Sequence, residues 1–339
     1  MIDEENEINI KPTWEHLSHS QTIALTLSIK VSSLLSVAGS SFVIYQILAP
    51  HKREAMLRTL YHRIVLTISS MDIVRTLSVF LSTWPIPKDT LHDDWIWGNV
   101  GNQITCNIQG YFIQSSGLSC AISTTFLCIY FMLLIRYNWS ERRLRKVEWM
   151  MRLTICLVFV GSLFPLFYDS FNPTLLFCWI NSYPISCDTS EEYECLRGEN
   201  AIMFRLLLLS IPIVLCVTIV IVTMSLLYIS VKKQDRLVSG YRSSRGNQSY
   251  SRVSRKVFMK VAWYIGTFSF IWIPPILIIL IRKGPINFWL LLMTSTLNPL
   301  QGFFNAIIFN YERLKNTEIM RGSSFLRLRG RASAGDMAS

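Results

Sequence analysis

The sequence predicts an all-α membrane protein: a bundle of seven transmembrane helices, N-terminus outside and C-terminus cytoplasmic. Three observations predict it. Hydrophobic residues make up 51% of the 339 positions and charged residues 16%, against about a quarter charged in water-soluble chains. Seven segments are apolar over about 20 residues, the length that crosses a bilayer's hydrocarbon core. Lys and Arg gather in alternate connections, as cytoplasmic loops require. The net charge of +11 therefore belongs to one membrane face, and nucleic acid is not an expected partner.

The elements follow in order. Residues 1–21 are a short extracellular segment; "MIDEENEINI" is acidic and lacks the basic-then-apolar order of a secretion signal. The first span is thus expected to direct its own insertion. The bundle covers 22–309, with spans at about 22–48, 60–84, 106–136, 150–168, 201–230, 257–281 and 287–309. Short connections leave no room for an inserted globular domain. Residues 310–339 form a cytoplasmic tail in which "ERLKNTEIM" and "FLRLR" fit an amphipathic helix on the inner leaflet.

Orientation rests on the basic loops. Lys52, Arg53, Arg58 and Arg63 flank the first, and Arg136, Arg142, Arg143, Arg145 and Lys146 fill the second. The third inner loop is basic and rich in Ser and Tyr, so it suits kinases as partners. The opposite connections are acidic or mixed, as in "DTSEEYECLRGE". The sequons at Asn138 and Asn247 fall in inner loops and are expected to stay unglycosylated.

Of the eight cysteines, Cys120, Cys128, Cys156 and Cys216 lie within spans and read as small buried apolar groups. Cys106, Cys178, Cys187 and Cys195 fall at the outer, oxidising side, where four cysteines allow three pairings. A bridge from Cys106 to the second outer loop would tie that loop over the bundle mouth.

Several short matches give the chain a family likeness. "CNIQG" at 106–110, "CWI" at 178–180, "FSFIWIPP" at 268–275 and "NPLQGFFN" at 298–305 resemble cyclic-AMP-receptor-like G-protein-coupled receptors of microbial eukaryotes. "WIWGNVGNQ" before Cys106 is similar to microalgal versions. The resemblance covers nearly the whole chain. It implies a Cys106–Cys178 disulfide, after which Cys187 and Cys195 would close a small ring. Rhodopsin-type marks are absent: no acidic residue precedes Arg136 in "LIRYNW", and the seventh span lacks Asn-Pro-x-x-Tyr.

Three regions interrupt otherwise apolar spans. Pro299 lacks an N–H and frees a carbonyl one turn back, while Asn298, Gln301 and Asn305 share one helical face beside Gly302. A packing seam and a hinge both fit; the resemblance implies an activation hinge. Trp272 beside Pro274 and Pro275 marks a kink in the sixth span, to which the resemblance assigns an outward swing. Asp72 is costly inside a membrane, and Arg75, one turn on, is its local pairing candidate.

The leading function is a plasma-membrane receptor that couples an extracellular ligand to a heterotrimeric G protein, with Arg136, Arg142 and Arg143 on the docking face. An anionic ligand would be held by Lys30, Arg75 and Arg205, with Asp72 offsetting part of their charge; the bland alternative has these cations snorkelling or locally paired. Membrane lipid is the remaining partner. A small transporter or channel is the alternative, but it calls for internal repeats or a charge-lined path, and neither is visible. No catalytic motif, metal site or cofactor site emerges, and the seventh span holds no lysine for a retinal Schiff base.

Overall fold

In a computed structural model, the described residues are 17–90, 96–184, 187, 194–240, most of 262–278, Met259 and 287–311. The N-terminal segment before Leu17, the third inner loop beyond Gly240 and the tail after Tyr311 lie outside them.

Helix α1 spans His19–Leu48 and opens on a capping box, in which Gln21 N–H donates to Ser18 Oγ and Ser18 N–H to Gln21 Oε1. A short α2 (Arg53–Arg58) leads into α3 (Leu60–Phe80). Helix α4 (Gln103–Arg136) starts on a second box built by Asn102 and Thr105. Helix α5 (Glu141–Gly161) is followed by a single turn, α6 (Phe164–Phe167). The hairpin β1 (Phe171–Pro173) and β2 (Cys178–Ile180) pairs antiparallel, with Asn172 opposite Trp179. Helix α7 (Ala201–Arg205) passes through a π-helical turn at Leu206–Ser210 into α8 (Ile211–Gly240). Residues 269–275 are helical, α9 covers Phe288–Leu297, and α10 covers 301–311.

Helix α4 is the hub: it packs on α3, α5 and α8 and carries the hairpin at its start, while α1 packs on α3 and α9. The hub is rich in serine, and in lipid each hydroxyl needs a partner. Ser115, Ser119 and Ser123 supply their own by donating to the carbonyls of Tyr111, Ser115 and Ser119, at 2.7–2.8 Å.

Among the described helices, four are long and apolar enough to cross a membrane, within 19–48, 103–136, 142–167 and 201–233. Helix α3 is less apolar because its 21 residues include Arg63, Asp72 and Arg75. The segment expected at 150–168 starts earlier, at Glu141. Its first turns are amphipathic, burying Leu144 and Val147 while Arg142 and Lys146 stay exposed, so hydropathy alone begins too late. Cys156 corrects the reading of span cysteines as buried: it is exposed on the outer surface of α5, whereas Cys120, Cys128 and Cys216 are buried.

At the end of the bundle away from the hairpin, Glu148 of α5 is clasped by Arg63 of α3, with nitrogen–oxygen distances of 2.8–3.1 Å. Arg63 also donates to the Leu57 carbonyl, at 2.6 Å, which fixes the chain between α2 and α3. Arg152 reaches the same carboxylate, but its side chain is 66% exposed. Glu148→Ala should therefore cost about 2 kcal/mol, the scale of hydrogen bonds to a shielded charge, and Arg152→Ala less than about 1 kcal/mol. Thermal unfolding of the purified variants checks the ranking; equal losses would refute it.

Candidate functional site

The site grows from the proline break expected in the last span. Pro299 has no N–H to offer, and residues 298–300 leave the helix between α9 and α10. Gly302 N–H then donates to Ser36 Oγ of α1, at 2.8 Å. Its usual helical acceptor, the Asn298 carbonyl, is taken instead by Arg75 Nη1 of α3, at 3.2 Å. Arg75 Nη2 donates to Asn298 Oδ1 as well. One guanidinium therefore holds both the backbone and the side chain of the residue at the break.

Arg75 is only 4% exposed. Gly117 of α4 lies against it: a Cβ there would meet Arg75 Cδ and Nε at 3.6 Å, an ordinary van der Waals contact. The indole of Trp272 lies on another side, with Arg75 Cζ 5.9 Å from its ring centroid. Trp272 also packs beside Leu118, Ala121, Ile213 and Cys216, and Pro274 is buried close by in sequence. The arginine thus touches three other parts of the bundle.

Asp72 takes its hydrogen bonds from serines of α1, and Arg75, one turn on, acts on it through charge. Fully buried, Asp72 accepts at Oδ2 from Ser36 (3.1 Å) and Ser40 (2.8 Å). The reason is geometric. Gly302 presses α10 against this group so closely that a Cβ would overlap Asp72 Oδ2 and the Ser40 hydroxyl, while Arg75 is drawn toward the carbonyl freed at the break. Gln301 and Asn305 are buried, at 3% and 8% exposure, on the seam predicted for them.

Lys30 lies elsewhere. Its Nζ donates to the Phe80 carbonyl at 3.1 Å, at the end of α3, and sits 3.5 Å from the Trp84 ring centroid. Arg205 is half-buried at the entrance to the π-helical turn. Lys30 and Arg75 share no hydrogen-bond partner.

The mouth of the bundle is closed by the hairpin. Cys106 and Cys178 form a disulfide, and Cys187 pairs with Cys195. Gln109, one turn along α4 from Cys106, accepts from the Cys178 N–H at 2.8 Å and donates to the Ser78 and Ser82 carbonyls. Leu175 and Leu176 at the hairpin tip pack among Leu25, Ile29, Val79 and Phe288.

Gln114 adds a link that the sequence reading missed. Its Oε1 accepts from Trp179 Nε1 of the hairpin (2.9 Å), and its Nε2 donates to the Leu208 carbonyl (2.8 Å). Leu208 sits in the π-helical turn, four residues before Pro212, whose missing N–H leaves that carbonyl without its ordinary donor. Gln109 and Gln114 stand five apart in a helix of serines and apolar residues. The signal was Pro212, which announces a carbonyl in need of a donor but does not say which helix provides it.

At the opposite end, Arg136 Nη1 donates to Ser230 Oγ (3.1 Å) and to the Leu226 carbonyl (3.4 Å) of α8. Arg142 and Arg143 are exposed at the start of α5.

Two outcomes follow. Gly302→Ala should lose about 1–3 kcal/mol by overpacking, while Gly266→Ala, at a helical position with open space around it, should unfold no lower than wild type, since alanine is the better helix former; thermal unfolding that ranks them equally would contradict the close contact. Gln114→Leu should speed amide exchange at residues 206–210 and cost about 2 kcal/mol for two buried hydrogen bonds. Unchanged exchange there would show that the bridge does not hold the turn.

No family model and no curated protein matches the chain. Among solved structures, the crystal structure of squid rhodopsin aligns with a TM-score of 0.63 at 13% sequence identity, covering 89% of this chain and 86% of that one. The chain thus shares with squid rhodopsin the fold of a helical bundle.

Proposed function

We propose that the chain is a seven-helix receptor of the plasma membrane, N-terminus outside and C-terminus inside, that couples an extracellular ligand to a heterotrimeric G protein. The sequence motifs favour the cyclic-AMP-receptor-like type. The observation that carries the reading is the clasp of Arg75 on Asn298. A helix break held by side chains of another helix is a two-state element: when the clasp opens, α9 and α10 can change their mutual angle. A ligand that prefers the open state shifts the population toward it.

An anionic ligand fits this scheme through Arg75. A carboxylate or phosphate would present oxygens in the fork geometry that Asn298 now fills, and would release the break by competing for the guanidinium. Asp72 stays with its serines, and Arg205 is the second cation of the proposal. Lys30 is the weakest member, since the Phe80 carbonyl and the Trp84 ring already hold it.

At the inner end, Arg136 ties α4 to α8 beside the exposed Arg142 and Arg143, a basic face on which a G protein would dock. The third inner loop serves kinases in this reading, and Trp272 with Pro274 forms the second hinge.

The test is guanine-nucleotide exchange on purified heterotrimers by the full chain in lipid nanodiscs. Acceleration by at least one heterotrimer is expected. It should disappear in a variant with Arg136→Ala, Arg142→Gln and Arg143→Gln whose thermal unfolding and membrane orientation match wild type. No acceleration across the heterotrimers tested, or full acceleration by the variant, would refute the proposal.

A further inference from the structure

Helix α5 carries a stripe that the rest of the bundle leaves uncovered. Leu144, Val147, Met151 and Ile155 face the core, with Glu148 held by Arg63 beside them. A helix advances about 100° per residue, which places Arg145, Lys146, Trp149, Leu153, Leu157 and Val160 within about 60° of one line on the opposite side. All six are exposed, Trp149 to 73%. The chemistry changes in one direction along the stripe. Two cations come first, an indole follows one turn on, and aliphatic surface then runs for about 10 Å at helical rise.

We propose that this stripe binds a phospholipid with a net anionic head group. Its phosphate would lie against Arg145 and Lys146, its glycerol region beside Trp149, and an acyl chain along Leu153, Leu157 and Val160. The order matches the molecule: charge, then an interfacial region where indoles are at home, then hydrocarbon. The apolar part alone would accept any lipid tail. The cations add the selection, because a zwitterionic head brings its own positive charge close to them and an anionic head does not. A second copy of the chain fits poorly, since two such stripes face to face would set like charges together. The inference needs only that α5 crosses a membrane, and it stands apart from the receptor reading.

The experiment uses the full chain in detergent–lipid micelles, read by native mass spectrometry with phosphatidylserine and phosphatidylcholine of identical acyl chains. Each cation near an anionic head is worth about fivefold in affinity, so bound phosphatidylserine should exceed phosphatidylcholine by at least about tenfold. Arg145→Gln with Lys146→Gln should bring the ratio to near one without altering thermal unfolding. Lipids brominated near the glycerol end should quench wild-type fluorescence more than that of Trp149→Phe. Equal binding of the two lipids by wild type, an unchanged preference in the double variant, or quenching that ignores Trp149 would overturn the proposal. So would efficient cross-linking of two chains through Cys156, the exposed thiol on this face, since a second copy would then cover the stripe.

Discussion

The structure depends on one buried guanidinium. Removing an arginine from water costs several kcal/mol unless it finds acceptors, and Arg75 turns two of its five N–H donors to the carbonyl and side chain of Asn298. That acceptor is available only because the helix is broken there: Pro299 interrupts the ladder, and Gly302 N–H has turned to Ser36. The break and the buried charge therefore require each other. Without the break Arg75 would lack its carbonyl; without Arg75 a carbonyl would stand unpaired in a region that lipid cannot hydrate.

The same logic recurs across the bundle. Gln114 likewise reaches from α4 to the Leu208 carbonyl, which Pro212, four residues on, leaves without its helical donor. A small residue makes close approach possible: Gly302 lets α10 come up against Asp72 and the α1 serines. Short hydroxyls then finish the work, since Ser36 and Ser40 share the Asp72 carboxylate. The chain holds its membrane core together with hydrogen bonds across close-packed backbones, the terms that remain when lipid is as apolar as the side chains.

Much of this was legible in the residues. The apolar runs at 22–48, 106–136, 150–168 and 201–230 fall on the four described helices long and apolar enough to cross a membrane, and Gln301 and Asn305, grouped by their spacing, are both buried. Partners were harder to read. Asp72 and Arg75 stand one turn apart, so sequence proximity paired them; a helix places them as neighbours but leaves their longer reach free, and Arg75 found its acceptors 223 positions away. The start of α5 was hidden because an amphipathic turn has no hydropathy. The π-helical turn was hidden because "LLLLS" reads as ordinary helix. Lys30 looked like a pocket cation; only the fold shows that the carbonyl end of α3 and the Trp84 ring wait for it.

The central claim is that Arg75 and Asn298 act as one unit at the helix break. A double-mutant cycle measures it directly, using Arg75→Gln, Asn298→Ala and the double variant, each unfolded reversibly in detergent. Residues sharing a hydrogen bond in a buried site couple by about 1–2 kcal/mol. The account predicts a coupling of that size, with the double variant losing less than the sum of the single losses. Losses that add to within about 0.3 kcal/mol would show two independent residues, and the clasp would be contradicted.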